Sequence, residues 1–234
     1  MTRTIGLGGP PAALFAIAVA GAALGCGASE PTGPVTAPDP ATARYQVTFD
    51  ATWSSTSHPT DFPASAHFSG LIGGTHSTAV SFWSPGGIAT DGVRVMAELG
   101  GKSPLDDEVR AAVSAGGAER VLSGGGIARS PGTVSLEFEI GATFPLVTLV
   151  SMVAPSPDWF VGVSGLNLRP NGRWVDGLTV DLLPYDAGTD GGTTFLSPDQ
   201  AIVPRQPIGR ILGHPFRNGD GVPPLGTFTF RRIN

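Results

Sequence analysis

Along the chain, Tyr45, Val47, Phe49, Ala51 and Trp53 alternate with Gln46, Thr48, Asp50 and Thr52. Alternation with a period of two predicts a strand with one buried face, because successive side chains leave a pleated strand on opposite sides. The same pattern returns at Val134, Leu136, Phe138 and Ile140, at Leu178, Val180 and Leu182, and at Phe228 and Phe230 near the end of the chain. Leu146 to Val153 differs: only Thr148 and Ser151 interrupt its apolar run, which predicts a strand covered on both faces. Many short strands separated by turn residues predict an all-β protein, an antiparallel β-sandwich.

The pattern changes period in one region. Leu105, Val109, Ala112 and Val113 fall on one face of a helix, with Ser103 placed to cap it, Pro104 at its first position and Asp106 and Asp107 near its positive end. Ala115-Gly116-Gly117 ends it. A second helix is expected around Asp91 to Leu99, so the sandwich carries one or two short inserted helices.

Composition decides between a folded domain and a disordered one. The 234 residues include 34 Gly and 22 Pro, close to the range of low-complexity chains, but 41% are hydrophobic and only 14% charged, with a net charge of −5. That balance excludes a disordered polyelectrolyte. The basic residues are scattered singly, 13 Arg and one Lys (Lys102), so no patch exists to follow a phosphate backbone and nucleic acid is not an expected partner.

The first residues read as an export signal: Arg3, then an uncharged apolar run from Ala12 to Leu24, too short to span a bilayer, then Ala23-Leu24-Gly25-Cys26. Cys26, the only cysteine, follows small residues in a way that resembles a bacterial lipobox, which implies a signal peptide over 1–25 and lipidation of Cys26. Ordinary signal-peptide cleavage with Cys26 incidental is the competing reading. Residues 26–42, with Pro31, Pro34, Pro38 and Pro40, read as an extended tether or a terminus without a spacing role. Residues 43–234 form the folded domain. Without a further cysteine it has neither an intramolecular disulfide nor thiol protease chemistry.

Candidate chemistry lies in two loops beside apolar strands. Asp158 follows Pro155-Ser156-Pro157, and Asp186 and Asp190 lie in Tyr185-Asp186-Ala187-Gly188-Thr189-Asp190-Gly191-Gly192. Carboxylates with Gly between them suit calcium, which takes six to eight oxygens from carboxylates, carbonyls and water. Asp before Gly also forms Asx-turns without any ion, and spacing alone favours that reading.

Motifs that run through the chain resemble the spondin domain: Trp53 with His58-Pro59, Asp61-Phe62-Pro63, His67-Phe68-Ser69, Gly73-Gly74-Thr75-His76, Phe82-Trp83, and above all Pro155-Ser156-Pro157-Asp158-Trp159-Phe160-Val161-Gly162-Val163 and Tyr185-Asp186-Ala187-Gly188-Thr189-Asp190. The resemblance implies a C2-like antiparallel β-sandwich that binds calcium through loops at one end. Its ligand positions correspond here to Glu139, Asp158, Asp186 and Asp190, with Glu137 competing for the strand position. Four crowded carboxylates would resist ionising without a cation.

Other candidates are weaker. His58, His67 and His76 are nine residues apart, a spacing that matches neither a helix face nor the usual zinc patterns, so structural hydrogen bonds are expected of them. Ala112-Val113-Ser114-Ala115-Gly116 lacks the first Gly of a nucleophile elbow, and Ser123-Gly124-Gly125-Gly126 lacks the Lys of a phosphate loop. Trp159 is expected in the core or a pocket wall.

The resulting expectation is a calcium-binding, non-enzymatic recognition or adhesion module, exported and lipid-anchored to the bacterial cell envelope at the outer membrane or cell surface, or else secreted, with a protein or surface glycan as ligand. A metal-dependent hydrolase and a purely structural envelope lipoprotein are the alternatives.

Overall fold

The computed structural model describes residues 39–219 and 221–234. The stretches read above as export signal and tether, Cys26 included, lie outside the described residues up to residue 38. Among the described residues eleven strands and two α-helices follow in the order β1 (Thr42–Ala51), β2 (His67–Phe68), β3 (Ile72–His76), α1 (Asp91–Leu99), α2 (Leu105–Ser114), β4 (Ala118–Ser123), β5 (Gly132–Gly141), β6 (Leu146–Ala154), β7 (Trp159–Asn167), β8 (Gly177–Leu182), β9 (Tyr185–Asp186), β10 (Gly209–Arg210) and β11 (Gly226–Arg232).

They form two antiparallel sheets. One has the order β5-β1-β11-β8; the other runs β10-β9-β7-β6-β3-β4, with β2 also paired to β6. In the first sheet Val47 stands opposite Leu136 on one side and Phe230 on the other. The alternation in the sequence is therefore one apolar face: Tyr45, Val47, Phe49, Phe228 and Phe230 are all fully buried between the sheets.

The continuous apolar run of β6 has two partners. Val147, Leu149 and Val153 face the core between the sheets, while Val150, Met152 and Ala154 join a second core beneath the helices. Each face of β6 buries its own set, so no polar alternation survives in the sequence.

Both helices pack on the outer face of the larger sheet, through Val93, Met96, Leu105 and Val109. Helix α1 begins as a capped helix should: Thr90 Oγ1 accepts from Val93 N at 3.2 Å, and Gly100 closes the other end in the left-handed conformation with φ of 66°. Helix α2 departs from the sequence expectation. Pro104 occupies the N-cap with φ −92° and ψ 9°, and no side chain caps the helix. Ser103 instead donates to Asp107 Oδ2 at 2.9 Å. Pro104 itself is non-helical, so the first helical residue is Leu105 and Ser103 stands one position too early to cap. Asp106, Asp107 and Glu108 supply negative charge to the exposed amides. Glu108 also ties the two helices, accepting from Thr90 Oγ1 and Gly92 N, each at 2.7 Å.

Candidate functional site

The β6–β7 connection turns at Pro155-Ser156-Pro157, where Ser156 Oγ accepts from Trp159 N at 3.1 Å. That turn places Asp158 at the mouth of β7, fully buried. Asp158 Oδ2 accepts from Thr189 N at 2.7 Å, Asp190 N at 3.0 Å and Thr189 Oγ1 at 3.1 Å, and its carbonyl accepts from Ala187 N at 3.1 Å. One carboxylate oxygen thus seats the whole 187–190 turn. The other, Oδ1, is buried and has no hydrogen-bond partner.

Asp186 stands opposite Trp159 in the β7–β9 register and accepts from Gly188 N at 2.7 Å. Asp190 accepts from Gly192 N at 2.7 Å with one oxygen and from Gln200 N at 2.8 Å with the other. Asp186 and Asp190 each bond a glycine amide two residues on and so form Asx-turns, as spacing alone suggested. The structure brings Asp158, Asp186 and Asp190 to one end of the sandwich, over a floor of Trp159, Phe195 and Phe216 whose rings lie 5.2–5.4 Å apart.

The electrostatics of this end are unbalanced. Burial first and the neighbouring Asp186 charge second push the Asp158 carboxyl up to about 6, against the Thr189 and Asp190 amides that favour the anion. Asp186 is also raised, by burial first, with Gly188 N–H and the Trp159 indole opposing and Asp190 adding repulsion. Among the described residues no Arg, Lys or His forms an ion pair with any of the three. His214 shares a surface depression of about 330 Å³ with Asp186 and Trp159, but its Nε2 is bonded to Asp61 at 2.9 Å.

These features fit a hard cation in part. A buried carboxylate oxygen without a partner, next to a second carboxylate and with no positive charge at hand, is the kind of group that a cation stabilises. Asp190 spends both oxygens on loop amides and acts first as a loop former. Among the described residues no three His, Cys, Asp or Glu side chains are gathered as a ready cage, so backbone carbonyls and water would have to complete a calcium shell.

The structure does not bring Glu139 to this end. Glu139 is exposed on β5 and pairs with Arg120 at 3.1 Å. Arg120 is level with Thr75 and Thr75 with Val147, near the start of β6, whereas Asp158 follows its end, on the order of 20 Å along the strand. Glu137 is exposed on the same strand and pairs with Arg44 at 2.7 Å. Glu139→Gln is accordingly expected to change stability by less than about 1 kcal/mol, as for an exposed ion pair, and to leave any calcium-induced rise in melting temperature intact. Loss of that rise in Glu139→Gln would restore it as a ligand.

The three histidines occupy separate places. His58 is buried, between Ser57 Oγ at 3.0 Å and the Pro223 carbonyl at 3.1 Å. His67 contacts the Ser65 carbonyl at 2.7 Å. His76 is buried between Thr148 Oγ1 and the Ser77 carbonyl, each at 2.8 Å. The Ser57–His58 pair is a turn element, since Ser57 Oγ also donates to Thr52 O at 2.9 Å. Ser114 bonds back to Arg110 O within its helix, and Lys102 Nζ holds Ser123 and the Gly124 carbonyl. Trp159 is 3% exposed and belongs to the core. Sequence reasoning missed Thr189 as the residue that grips Asp158; its place between Gly188 and Asp190 was the available signal.

Two antiparallel sheets, a helix layer on one of them and a carboxylate-bearing loop end define an antiparallel β-sandwich with short inserted helices. The chain belongs to the Spondin_N family, whose model matches residues 43–218. It is 35% identical to spondin-2 of Rattus norvegicus over 204 residues, which cover 82% of this chain and 62% of that protein. It is 36% identical to spondin-1 of Mus musculus over 185 residues, 74% of this chain and 23% of that one. The chain thus spans less than two thirds of these relatives. Among the described residues no helix is long and apolar enough to cross a membrane.

Proposed function

We propose that this domain is a calcium-binding recognition module of the cell exterior, held at the envelope through lipidated Cys26, with Asp158 and Asp186 as the principal carboxylate ligands and Asp190 shaping the loop. The observation that carries the reading is the buried, unpartnered Oδ1 of Asp158 beside the Asp186 carboxylate. A bound cation would neutralise that pair and hold the β6–β7 and 186–200 loops in one arrangement, giving a protein or surface glycan a rigid loop end to recognise. Family membership supports recognition over catalysis, and the engagement of His58 and His76 with backbone and hydroxyl groups leaves neither to serve as a base beside the carboxylates.

Thermal melting with calcium and with chelator tests the metal. A ligand that binds only the native state at a hundredfold excess over its dissociation constant adds about 2.7 kcal/mol, which for a domain of this size raises the melting temperature by roughly 5–10 °C. Asp186→Ala should lose most of that rise. An unchanged midpoint with calcium in the wild-type domain would remove the metal from the proposal. A purely structural envelope role would show itself in pull-downs from envelope extract that recover the same partners with and without chelator.

A further inference from the structure

A second concave feature adjoins the carboxylate loops at Tyr185 but shares no lining residue with the depression at Asp186; it lies at the seam where β7 of one sheet passes β8 of the other. It is a cleft of about 290 Å³ walled by Trp83, Tyr185, Pro85, Val163 and Leu166, with Asp181 at its rim. Trp83 is set rigidly by edge-to-face contacts with Phe160 and Tyr185, each with ring centroids 5.0 Å apart, and its carbonyl accepts from Ser164 Oγ. Trp83 is 6% exposed and its indole Nε1 has no hydrogen-bond partner.

The charge of the cleft is one-sided. Asp181 is exposed and takes part in no ion pair among the described residues, and no Lys, Arg or His side chain lines the walls. Arg210, the cross-strand neighbour of Tyr185, is not among the lining residues. Contrast the larger groove between β4 and β5, where Arg44 and Arg120 already pair with Glu137 and Glu139 and leave no charge to offer.

Rigid aromatic rings beside an uncompensated carboxylate suit a flat cation. A guanidinium stacks on an indole or phenol ring and forks two N–H bonds onto a carboxylate, while the apolar stem of the side chain covers Val163 and Leu166. We infer that this cleft receives an arginine side chain of a partner protein, stacked on the half-buried Tyr185 ring with the buried Trp83 as the wall behind it, and paired with Asp181. The site adds a second contact point to a recognition module, and binding measured in chelator keeps its success or failure separate from that of the metal.

The test uses the folded protein in chelator, titrated with Nα-acetyl-arginine methylamide and followed through the indole N–H resonance of Trp83, assigned by its absence in Trp83→Phe. The expected result is a saturable shift with a dissociation constant on the order of millimolar, as for one stacked and paired side chain. Affinity should fall at least tenfold in Asp181→Asn, whose melting temperature should match the wild type because the residue is exposed. The uncharged citrulline analogue should leave the resonance in place. No saturable shift, equal binding by Asp181→Asn, or equal binding of the citrulline analogue would each overturn the inference.

Discussion

Replacing Gly188 with Ala is expected to lower stability by about 4 kcal/mol and to abolish any response to calcium. Gly188 has φ of 73°, and a Cβ there would sit 2.2 Å from the Gln206 carbonyl oxygen. Left-handed backbone costs a non-glycine residue about 1–2 kcal/mol, and forcing the 188 and 206 backbones apart adds about 1–3 kcal/mol of overpacking. It also endangers the Gln206 N to Gly188 O bond of 2.8 Å and the Gly188 N bond that fixes Asp186. Asp186, Thr189 and Asp190 hang on this one turn, so its displacement unseats the grip on Asp158 as well. Chemical denaturation of Gly188→Ala against wild type, followed by a calcium titration, checks both parts. A variant with wild-type stability would mean that the turn tolerates the methyl group and that the loop is not fixed as described.

The second large effect concerns Asp158 and has a sign opposite to most core substitutions. Its carboxyl is raised from 3.8 to about 6 in the folded protein, so between these pH values the native state binds more protons than the unfolded chain and stability falls as pH rises. Without a cation, the contribution of this group is therefore most favourable below about pH 4, and on the order of 3 kcal/mol is lost by the time pH passes about 6. Asp158→Asn keeps an acceptor for the Thr189 and Asp190 amides and removes the charge. In chelator at pH 7 it is expected to melt at or above the wild type, with a flatter profile between pH 4 and 6. In saturating calcium the order should invert, because only the wild type gains from the ion. Parallel pH profiles of the two proteins in chelator would show that the buried charge is not a source of instability; a full calcium shift in Asp158→Asn would remove it from the ligand set.

The contrast between these two positions explains how much was legible beforehand. Strands β1, β5, β8 and β11 could be read from alternation because each has one wet and one dry face. The doubly covered β6 could be read from its unbroken apolar run. The loop motifs carried Asp158 in one turn and Asp186 with Asp190 in another, since residue identity and short spacing fix each turn locally whatever the sheets do. Glu139 failed the same treatment because it stood in no loop motif: the resemblance called for a strand Glu, and only its distance before Asp158 and the polar side of its strand placed it. Polarity says that a side chain leaves the core, and is silent about which end of which sheet it reaches. The Ser103 cap failed for a local reason, the non-helical backbone of Pro104.

By itself, then, the sequence determined the class of fold, the helix positions and the three aspartates of the loops, because periodicity and short-range motifs are properties of neighbouring residues. Only the tertiary structure decided that Asp158 is fully buried with one oxygen unpartnered, that Thr189 seats it from 31 residues away, and that Glu139 faces Arg120 instead. Those facts depend on strand register and on which loops meet at one end of the sandwich, and register is fixed by packing across two sheets rather than by any stretch of chain alone.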